Sequence, residues 1–235
     1  MIIKYLIIKK MFKKIKKILL NLNKKESGEE KSKKSVFFDT KTIYNGHHKI
    51  TYRNIKAIRC PFDYVLYQMI ICEIKPDLII EIGTNIGGGA LYLADILETI
   101  GNGILHTIDI KDQSNFILKQ HKRIKTFYDG WQKYDLKQTT GFKKILVIED
   151  GSHTYEETLG ALEKFSEVVS LNSYFIVEDG IINELGLSKK YNGGPIRAIK
   201  EFTAKNTKYI VDRKWCDFFG KNATFNVDGY LKRIR

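Results

Sequence analysis

The sequence predicts an α/β protein with a doubly wound sheet, and three observations favour this fold class. Short apolar runs suited to buried strands alternate with longer segments of helical periodicity. Several of these runs end in an acidic residue that is followed by small or turn-forming residues. The chain has 235 residues, of which 43% are hydrophobic, so it is long enough to bury one sizeable core.

The first part of the predicted sheet is a strand–helix–strand unit. A helix begins at Pro61 and ends near Lys75, and the segment before it reads as irregular. A buried strand follows in "LIIEIG", then a helix in "GGALYLADILETI" and a second strand in "ILHTIDI". Two strands joined by a helix in this way are expected to pair in parallel.

The second part continues the alternation after a weaker region at residues 112–142. Its predicted elements are, in order, the strand "KKILVIED", the helix "TYEETLGALEKFSEVV", the strand "SYFIVEDG", a helix in "GGPIRAIKEFTAKN", the strand "YIVDR" and a final strand or hairpin in "TFNVDGYLKRI". Because strands and helices alternate throughout, the sheet is expected to carry helices on both faces.

Charge divides the chain into two predicted segments, a basic tail with a linker at residues 1–35 and a folded domain at residues 36–235. Twelve of the forty Lys and Arg residues and three of the 27 acids lie within residues 1–34, so this stretch carries +9 of the net charge of +13. The remaining +4 on the body does not require a nucleic-acid partner, and we expect none.

Apolar residues recur at helical spacing within residues 1–25, and lysines fill the other face. This pattern is typical of a helix that makes peripheral contact with an anionic membrane. The alternatives are a solvated or partner-docking helix, or an extension upstream of a start at Met11. Apolar runs here fall short of the ~18–20 residues of a membrane span, and lysines interrupt every candidate signal-peptide core.

The three cysteines, Cys60, Cys72 and Cys216, are widely spaced and form no CxxC motif. Such spacing favours reduced thiols over a disulfide framework or a zinc site. We therefore expect a cytoplasmic protein, located at the inner face of the membrane if the basic tail binds there.

Four predicted strands end in acids, at Glu81, Asp109, Asp150 and the pair Glu178 and Asp179. Ligands of doubly wound folds bind beyond the carboxyl ends of the strands. A carboxylate that is buried there without a partner is costly, so such acids usually contact a ligand, a metal or a capping N–H group. The sequence therefore predicts a binding site at this edge.

The first strand end reads E-x-G-x-x-x-G over residues 81–87, unlike the G-x-G-x-x-G of dinucleotide enzymes. Small residues allow a ligand to approach the backbone, and Glu81 can accept a hydrogen bond from an ammonium or hydroxyl group. Asp109 follows 28 residues later, where an acid can bind both hydroxyls of a ribose. These features suit S-adenosylmethionine; a tight turn with a capping Asp and no ligand is the alternative.

The second group of acids suits a metal. Asp150, Glu178 and Asp179 can meet at neighbouring strand ends, and hard carboxylate oxygens favour Mg²⁺, Mn²⁺ or Ca²⁺ over zinc. His153 lies in the turn after Asp150, where it could take a proton from a substrate hydroxyl near neutral pH. Alternatively, Asp150 and Ser152 cap the following helix and His153 is a surface residue.

Taken together, the chain resembles the cephalosporin hydroxylase / rhamnosyl O-methyltransferase family over roughly residues 45–235. The segments that carry the resemblance are "IRCPFDYVLYQMIICEIKPDLIIEIGTNIGGGALYLAD", "IEDGSHTYEETLGAL", "YFIVEDG", "NGGPIRAIKEF" and "NATFNVDGYLKRI". The resemblance implies a Rossmann-like, class I methyltransferase fold and metal-dependent O-methylation of a sugar hydroxyl by S-adenosylmethionine. The acceptor would be a nucleotide-linked sugar or a surface-glycan precursor. Hydroxylation is not carried over, because nothing in the sequence resembles an iron triad or a flavin site.

The resemblance also implies roles for individual residues. The cofactor-binding positions would be Glu81, Gly83, Thr84, Asn85, Asp109 and, near the adenine, Asp129. The ligands of Mg²⁺ or Mn²⁺ would be Asp150, Glu178 and Asp179, and the base would be His153. Arg59, Arg197 and Lys200 are candidate contacts for a substrate diphosphate, and we expect a homo-oligomer.

Two functions of other classes are also compatible with the sequence. One is a nicotinamide-dependent oxidoreductase, against which the E-x-G-x-x-x-G spacing and the acids argue. The other is a non-catalytic, membrane-associated binding module, which would have no affinity for the cofactor.

Overall fold

The computed structural model describes residues 38–235. Residues 40–235 form one compact unit. The predicted basic tail, and with it the predicted membrane-binding helix of residues 1–25, lies outside the described residues. Within residues 38–235, no helix has both the length and the apolar character needed to cross a membrane.

The strands of the described residues form a small hairpin and one large sheet. In chain order they are β1 (Thr51–Tyr52), β2 (Ile55–Lys56), β3 (Leu78–Ile82), β4 (Ile104–Ile108), β5 (Ile124–Phe127), β6 (Ile145–Glu149), β7 (Tyr174–Val177), β8 (Tyr209–Val211) and β9 (Tyr230–Arg233). The large sheet has the order β5-β4-β3-β6-β7-β9-β8. Its first five strands are parallel, and β9 is antiparallel to both neighbours. This arrangement confirms the predicted α/β sheet.

Helices cover both faces of the large sheet. They are α1 (Thr40–His47), α2 (Pro61–Ile74), α3 (Gly88–Thr99), α4 (Phe116–Gln120), α5 (Tyr155–Phe165), α6 (Gly194–Lys205) and α7 (Arg213–Cys216). Alternate residues of β3 point to opposite faces, so Ile79 packs in the core layer with α2 and α3, whereas Ile80 packs in the layer with α5 and α6. The sheet is therefore doubly wound, as predicted.

The elements that lead into the central strands follow from local sequence. Pro61 occupies the first turn of α2, where its missing N–H is not needed, and Lys75 ends the helix in a left-handed conformation. The side chain of Thr154 caps α5 by accepting the N–H of Glu157. The cap of this helix is thus Thr154, rather than the alternative pair Asp150 and Ser152.

Two regions in which we predicted no elements contain regular structure. Before Pro61 lie α1 and the hairpin of β1 and β2, and the weak region at 112–142 holds α4 and β5. All of these elements are short, and β5 is an edge strand whose four residues include Lys125. Such short segments are placed by tertiary packing, which a periodicity pattern does not report.

Candidate active site

A cavity of about 790 Å³ opens at the carboxyl ends of the parallel strands. Backbone hydrogen bonds continue the ladder past these ends, from Gly83 N to Ile108 O (2.8 Å) and from Asp150 N to Ile82 O (2.8 Å). The residues after β3, β4, β6 and β7 are consequently held side by side. Those that line the cavity include Gly83, Asp109, Asp150, Glu178 and Asp179.

Three residues of this edge have an unusual backbone. Asn85, His153 and Asp179 adopt φ values of 50°, 59° and 58°, in the left-handed region that side chains other than glycine seldom occupy. Strained conformations of this kind cluster at functional sites, because only a well-determined surrounding structure maintains them. Three of the ten non-glycine residues with positive φ in the described part of the chain lie at this edge.

Asp150, His153 and Asp179 form a cluster in which potential metal-ligand atoms all lie within 4.8 Å of one another. His153 Nε2 is 3.1 Å from Asp179 Oδ2, and His153 Nδ1 is buried without a hydrogen-bond partner among the described residues. Burial and the negative charge of Glu178 raise the pKa of Asp150 well above its usual range. A divalent cation would relieve this accumulation of negative charge.

Glu178 lies at the same strand edge, but its carboxylate is bound by other groups. Arg59 Nη2 is 2.7 Å from Glu178 Oε1, and the Tyr67 hydroxyl donates a hydrogen bond of 2.8 Å to the same oxygen. Arg59 Nη2 also lies 3.6 Å from Asp150 and 3.6 Å from Glu81. The structure therefore places Glu178 next to the cluster of Asp150, His153 and Asp179, called here the metal cluster after the ligand atoms it could offer. Glu178 itself forms an ion pair with the buried guanidinium of Arg59.

The three candidate contacts for a diphosphate lie elsewhere or are already engaged. Arg59 is only 3% exposed and is surrounded by carboxylates. Arg197 stacks on the ring of Tyr155 at 3.7 Å and, together with Lys200, borders a separate depression on the surface. Sequence reasoning did not foresee that Arg59 holds the strand-end acids, because this pairing joins residues far apart in the chain.

The carboxylate of Glu81 is buried and holds protein groups. It lies 3.6 Å from Arg59 Nη2 and accepts a hydrogen bond of 2.7 Å from Thr107, whose hydroxyl is 2.6 Å from that of Thr84. Burial, opposed by the charge of Arg59, raises the pKa of Glu81 to about 7. Neither Glu81 nor Thr84 lines the cavity, so both support the turn from behind.

Gly83 brings two strand ends into contact. Its φ is +105°, and a Cβ added there would lie 2.0 Å from the carbonyl oxygen of Asp150. Glycine is therefore required by the neighbouring turn, as well as by any ligand that approaches the backbone. This contact fixes the turn after β3 against the turn that carries Asp150.

Asp109 is held by backbone N–H groups and lines the cavity. Its carboxylate accepts hydrogen bonds from the N–H of Asn85 at 2.8 Å and of Ile110 at 2.7 Å. Asp129 is exposed and does not line the cavity, whereas the next residues, Gly130 and Trp131, do. Within "YDGWQKYD", the cavity is therefore lined by Gly130 and Trp131 rather than by Asp129.

The residues present fit both groups that the sequence suggests. The carboxylate of Asp109 is fixed at the cavity wall, where it can accept hydrogen bonds from the hydroxyls of a ribose. The cluster of Asp150, His153 and Asp179 offers two carboxylates, which are the donors that Mg²⁺ and Mn²⁺ prefer, next to one imidazole. One cavity can therefore hold a nucleoside-type cofactor and a cation.

Comparisons with known proteins identify the family of the chain. The sequence model of the family described as Rhamnosyl O-methyltransferase/CmcI matches residues 45–130 and 131–234. The chain is 25% identical over 232 residues to a rhamnosyl O-methyltransferase of Mycobacterium leprae, covering 84% of this chain and 93% of that protein. It is 28% identical over 175 residues to a rhamnosyl O-methyltransferase of Mycobacterium tuberculosis (strain ATCC 25618 / H37Rv), covering 66% of each.

Solved structures show the same fold. A CmcI structure described as a complex with Mg and SAM has a TM-score of 0.62 at 18% identity, covering 86% of this chain and 82% of that chain. The O-methyltransferase TomG of Streptomyces achromogenes, described as a complex with SAM, has a TM-score of 0.51 at 15% identity, covering 87% and 94%. The sheet is thus of the class I methyltransferase type, as predicted.

Proposed function

Because the chain belongs to the rhamnosyl O-methyltransferase/CmcI family, we infer that it is an S-adenosylmethionine-dependent O-methyltransferase, and we propose that its acceptor is a sugar hydroxyl and that a divalent metal takes part. Family membership confirms the resemblance stated from the sequence. The observation that carries the proposal is that the cluster of Asp150, His153 and Asp179 opens into the same cavity as Asp109.

The donor would lie across the ends of β3 and β4. Asp109 would accept hydrogen bonds from the ribose hydroxyls, and Gly83 and Asn85 would line the methionine end. Glu81 and Thr84 would act from behind, by fixing the turn through Thr107. Bound S-adenosylmethionine supplies an electrophilic methyl group on its sulfonium. The chain's contribution would be to position the donor next to the acceptor hydroxyl and to exclude water.

Asp150, Asp179 and Glu178 are the proposed metal-binding acids, and His153 lies beside them as the proposed base. Mg²⁺ or Mn²⁺, when bound, would lower the pKa of an acceptor hydroxyl. Glu178 would join the set only if its carboxylate turned from Arg59, which is 2.7 Å away. Arg59 would keep the remaining negative charge balanced.

His153 is the proposed proton acceptor. Its Nε2 lies 3.1 Å from Asp179, whose negative charge would stabilise the imidazolium that forms when the acceptor hydroxyl loses its proton. An imidazole suits this task because it is the side chain that most readily exchanges a proton near neutral pH. With the backbone of both residues in the left-handed conformation, the side chains of His153 and Asp179 lie within hydrogen-bond distance.

The acceptor is proposed to be a nucleotide-linked sugar or a surface-glycan precursor. This choice is supported by the names of the mycobacterial relatives, which act on a rhamnosyl group. Contact of residues 1–25 with an anionic membrane, a cytoplasmic location and a homo-oligomeric state stay predictions. Among the described residues, no observation favours the nicotinamide-dependent oxidoreductase or the non-catalytic membrane module.

The proposal is tested by incubating the protein with S-adenosylmethionine labelled in its methyl group and a panel of nucleotide-linked sugars, simple rhamnosides and glycolipids. We expect label in at least one sugar in the presence of Mg²⁺ or Mn²⁺, and none after treatment with EDTA. Transfer that is unaffected by EDTA would exclude the metal. S-Adenosylhomocysteine binding without transfer to any sugar would exclude the acceptor class.

A further inference from the structure

The cavity extends beyond the strand-end acids to a wall of aromatic side chains. This wall, called here the acceptor wall, consists of Tyr44 and His47 of α1 together with Tyr191 and Phe225. The ring of Phe225 lies 5.2 Å from that of His47 and 5.9 Å from that of Tyr44, measured between centroids. Side chains from three separate segments therefore form one surface that faces the cavity.

The acceptor wall lies next to the metal cluster, on the side away from Asp109. In the sheet order, Asp109 follows β4, whereas Asp179 follows β7, two strands beyond β3. The ring of Tyr191 is 6.3 Å from that of His153. Burial and the nearby charge of Asp179 raise the pKa of Tyr44. The cluster is thus positioned between the residues proposed for the donor and this wall.

The chemistry of the wall suits a sugar ring. One face of a pyranose presents C–H groups, which pack on aromatic faces, while its hydroxyls need hydrogen-bond partners at the rim. His47 Nδ1 donates to the carbonyl oxygen of Tyr44. Burial lowers the pKa of His47, so the ring is neutral and its Nε2 is an acceptor for a hydroxyl. The Tyr44 hydroxyl adds a second polar group.

We propose that the acceptor wall is the subsite for the pyranose ring of the acceptor, with the ring stacked on the half-buried Tyr44 and a hydroxyl bonded to His47. Phe225, which is 5% exposed, supports this surface through its contacts with the rings of Tyr44 and His47. The stacked ring presents a further hydroxyl to the cluster of Asp150, His153 and Asp179. This inference rests on the proposed function. It assigns acceptor recognition to α1 and to the loop of Phe225, rather than to the lysines and arginines on the surface.

The experiment measures donor and acceptor binding separately on the full chain. The acceptor probe is 4-nitrophenyl α-L-rhamnopyranoside, whose binding to protein loaded with S-adenosylhomocysteine and Mg²⁺ is followed by saturation-transfer NMR. The donor signal is tryptophan fluorescence, because Trp131 lines the cavity, whereas the other tryptophan, Trp215, is 1% exposed. Each variant is checked for its thermal unfolding midpoint.

Tyr44→Ala is expected to weaken rhamnoside binding about tenfold, because it removes the stacking ring. Phe225→Leu should also weaken binding, because it removes the ring that holds Tyr44 and His47 in place. Tyr44→Phe keeps the ring and should bind within about twofold of the wild type. Phe218→Ala is the matched control, since Phe218 is 44% exposed and does not line the cavity. Affinity for S-adenosylhomocysteine should be unchanged in every variant. Phe225→Leu provides the test if Tyr44→Ala does not fold.

Two results would overturn the inference while leaving the proposed function intact. One is unchanged rhamnoside binding in both Tyr44→Ala and Phe225→Leu. The other is transfer to rhamnoside whose KM does not rise in these variants. A wild type that binds S-adenosylhomocysteine but not the rhamnoside would overturn the sugar subsite, whereas failure to bind S-adenosylhomocysteine would remove the proposed function itself.

Discussion

The two sides of the cavity are built in different ways. The strand-end side carries Asp109, Asp150 and Asp179, each placed within two residues of the end of a parallel strand. The acceptor wall is assembled from α1 and two loops, with no shared ladder of backbone hydrogen bonds. The difference indicates that the reaction geometry is fixed by the sheet, while the shape offered to the acceptor depends on long-range side-chain packing.

Removing Arg59 should have the largest effect on stability. This residue lies just before α2, but its guanidinium neutralises the acids of the strand-end side. Arg59→Met would leave Glu81, Asp150 and Glu178 without their buried cation, and should lower the free energy of unfolding by about 3–5 kcal/mol. Urea unfolding at pH 7 without metal measures this loss. Arg53→Met is the control: its ion pair with Asp95 is exposed, so the loss should stay below about 1 kcal/mol. Equal losses in both variants would contradict this account.

The free energy of unfolding should depend on pH through Asp63, which lies behind the acceptor wall. This buried carboxyl accepts hydrogen bonds from Thr224, from the N–H of Phe225 and from Tyr230. Burial raises the pKa of Asp63 from 3.8 to about 7. The folded state therefore retains the proton longer than the unfolded chain. The contribution of Asp63 to stability is complete below about pH 4 and is lost as the pH rises through about 7.

Asp63→Asn should remove this dependence. Relative to the variant, the wild type should lose about 2–4 kcal/mol of unfolding free energy between pH 4 and pH 7, at up to about 1.4 kcal/mol per pH unit. Denaturant unfolding at several pH values measures the difference. Parallel curves for the two proteins would show that Asp63 ionises normally in the folded state.

Asp150→Asn tests the strand-end side directly. It removes a charge from the metal cluster and should reduce methyl transfer by more than about a hundredfold, since changes outside the ligand shell alone cost 10–100-fold. Mn²⁺ binding, followed by electron paramagnetic resonance, should weaken in parallel. Glu163→Gln, an exposed acid on α5, is the matched control. Unchanged Mn²⁺ affinity in Asp150→Asn would exclude Asp150 as a ligand.

Asp109→Asn should have the smallest effect of these substitutions, about a tenfold loss of affinity for S-adenosylhomocysteine, or 1.4 kcal/mol. Asparagine keeps an acceptor for the N–H of Asn85 but loses one for the ribose. Trp131 fluorescence measures the affinity. Asp112 lies in the same loop and pairs with Lys119, so Asp112→Asn is the control and should bind S-adenosylhomocysteine normally. Equal affinities in both variants would show that Asp109 does not bind the ribose.

The sequence predicted the sheet and most of its strand ends for a physical reason. Buried parallel strands are continuous apolar runs, and their carboxyl ends must lie at one edge, so the positions of Asp109 and Asp150 followed from local pattern alone. The ion pairs of Glu178 and Glu81 with Arg59 could not be predicted from local pattern, because they depend on which side chain packs between the strands and α2. Similarly, α1 is eight residues long, and nothing in its pattern places Tyr44 opposite Phe225.

The close contact between Gly83 and the carbonyl of Asp150 has a consequence for how such proteins diversify. Because backbone meets backbone there, the distance between the turn after β3 and the turn that carries Asp150 is fixed. The aromatic surface opposite is held mainly through side chains, among them the Asp63 carboxyl that accepts the N–H of Phe225. New acceptors can therefore be acquired by changing α1 and the loop of Phe225, while the chemistry that they meet stays the same.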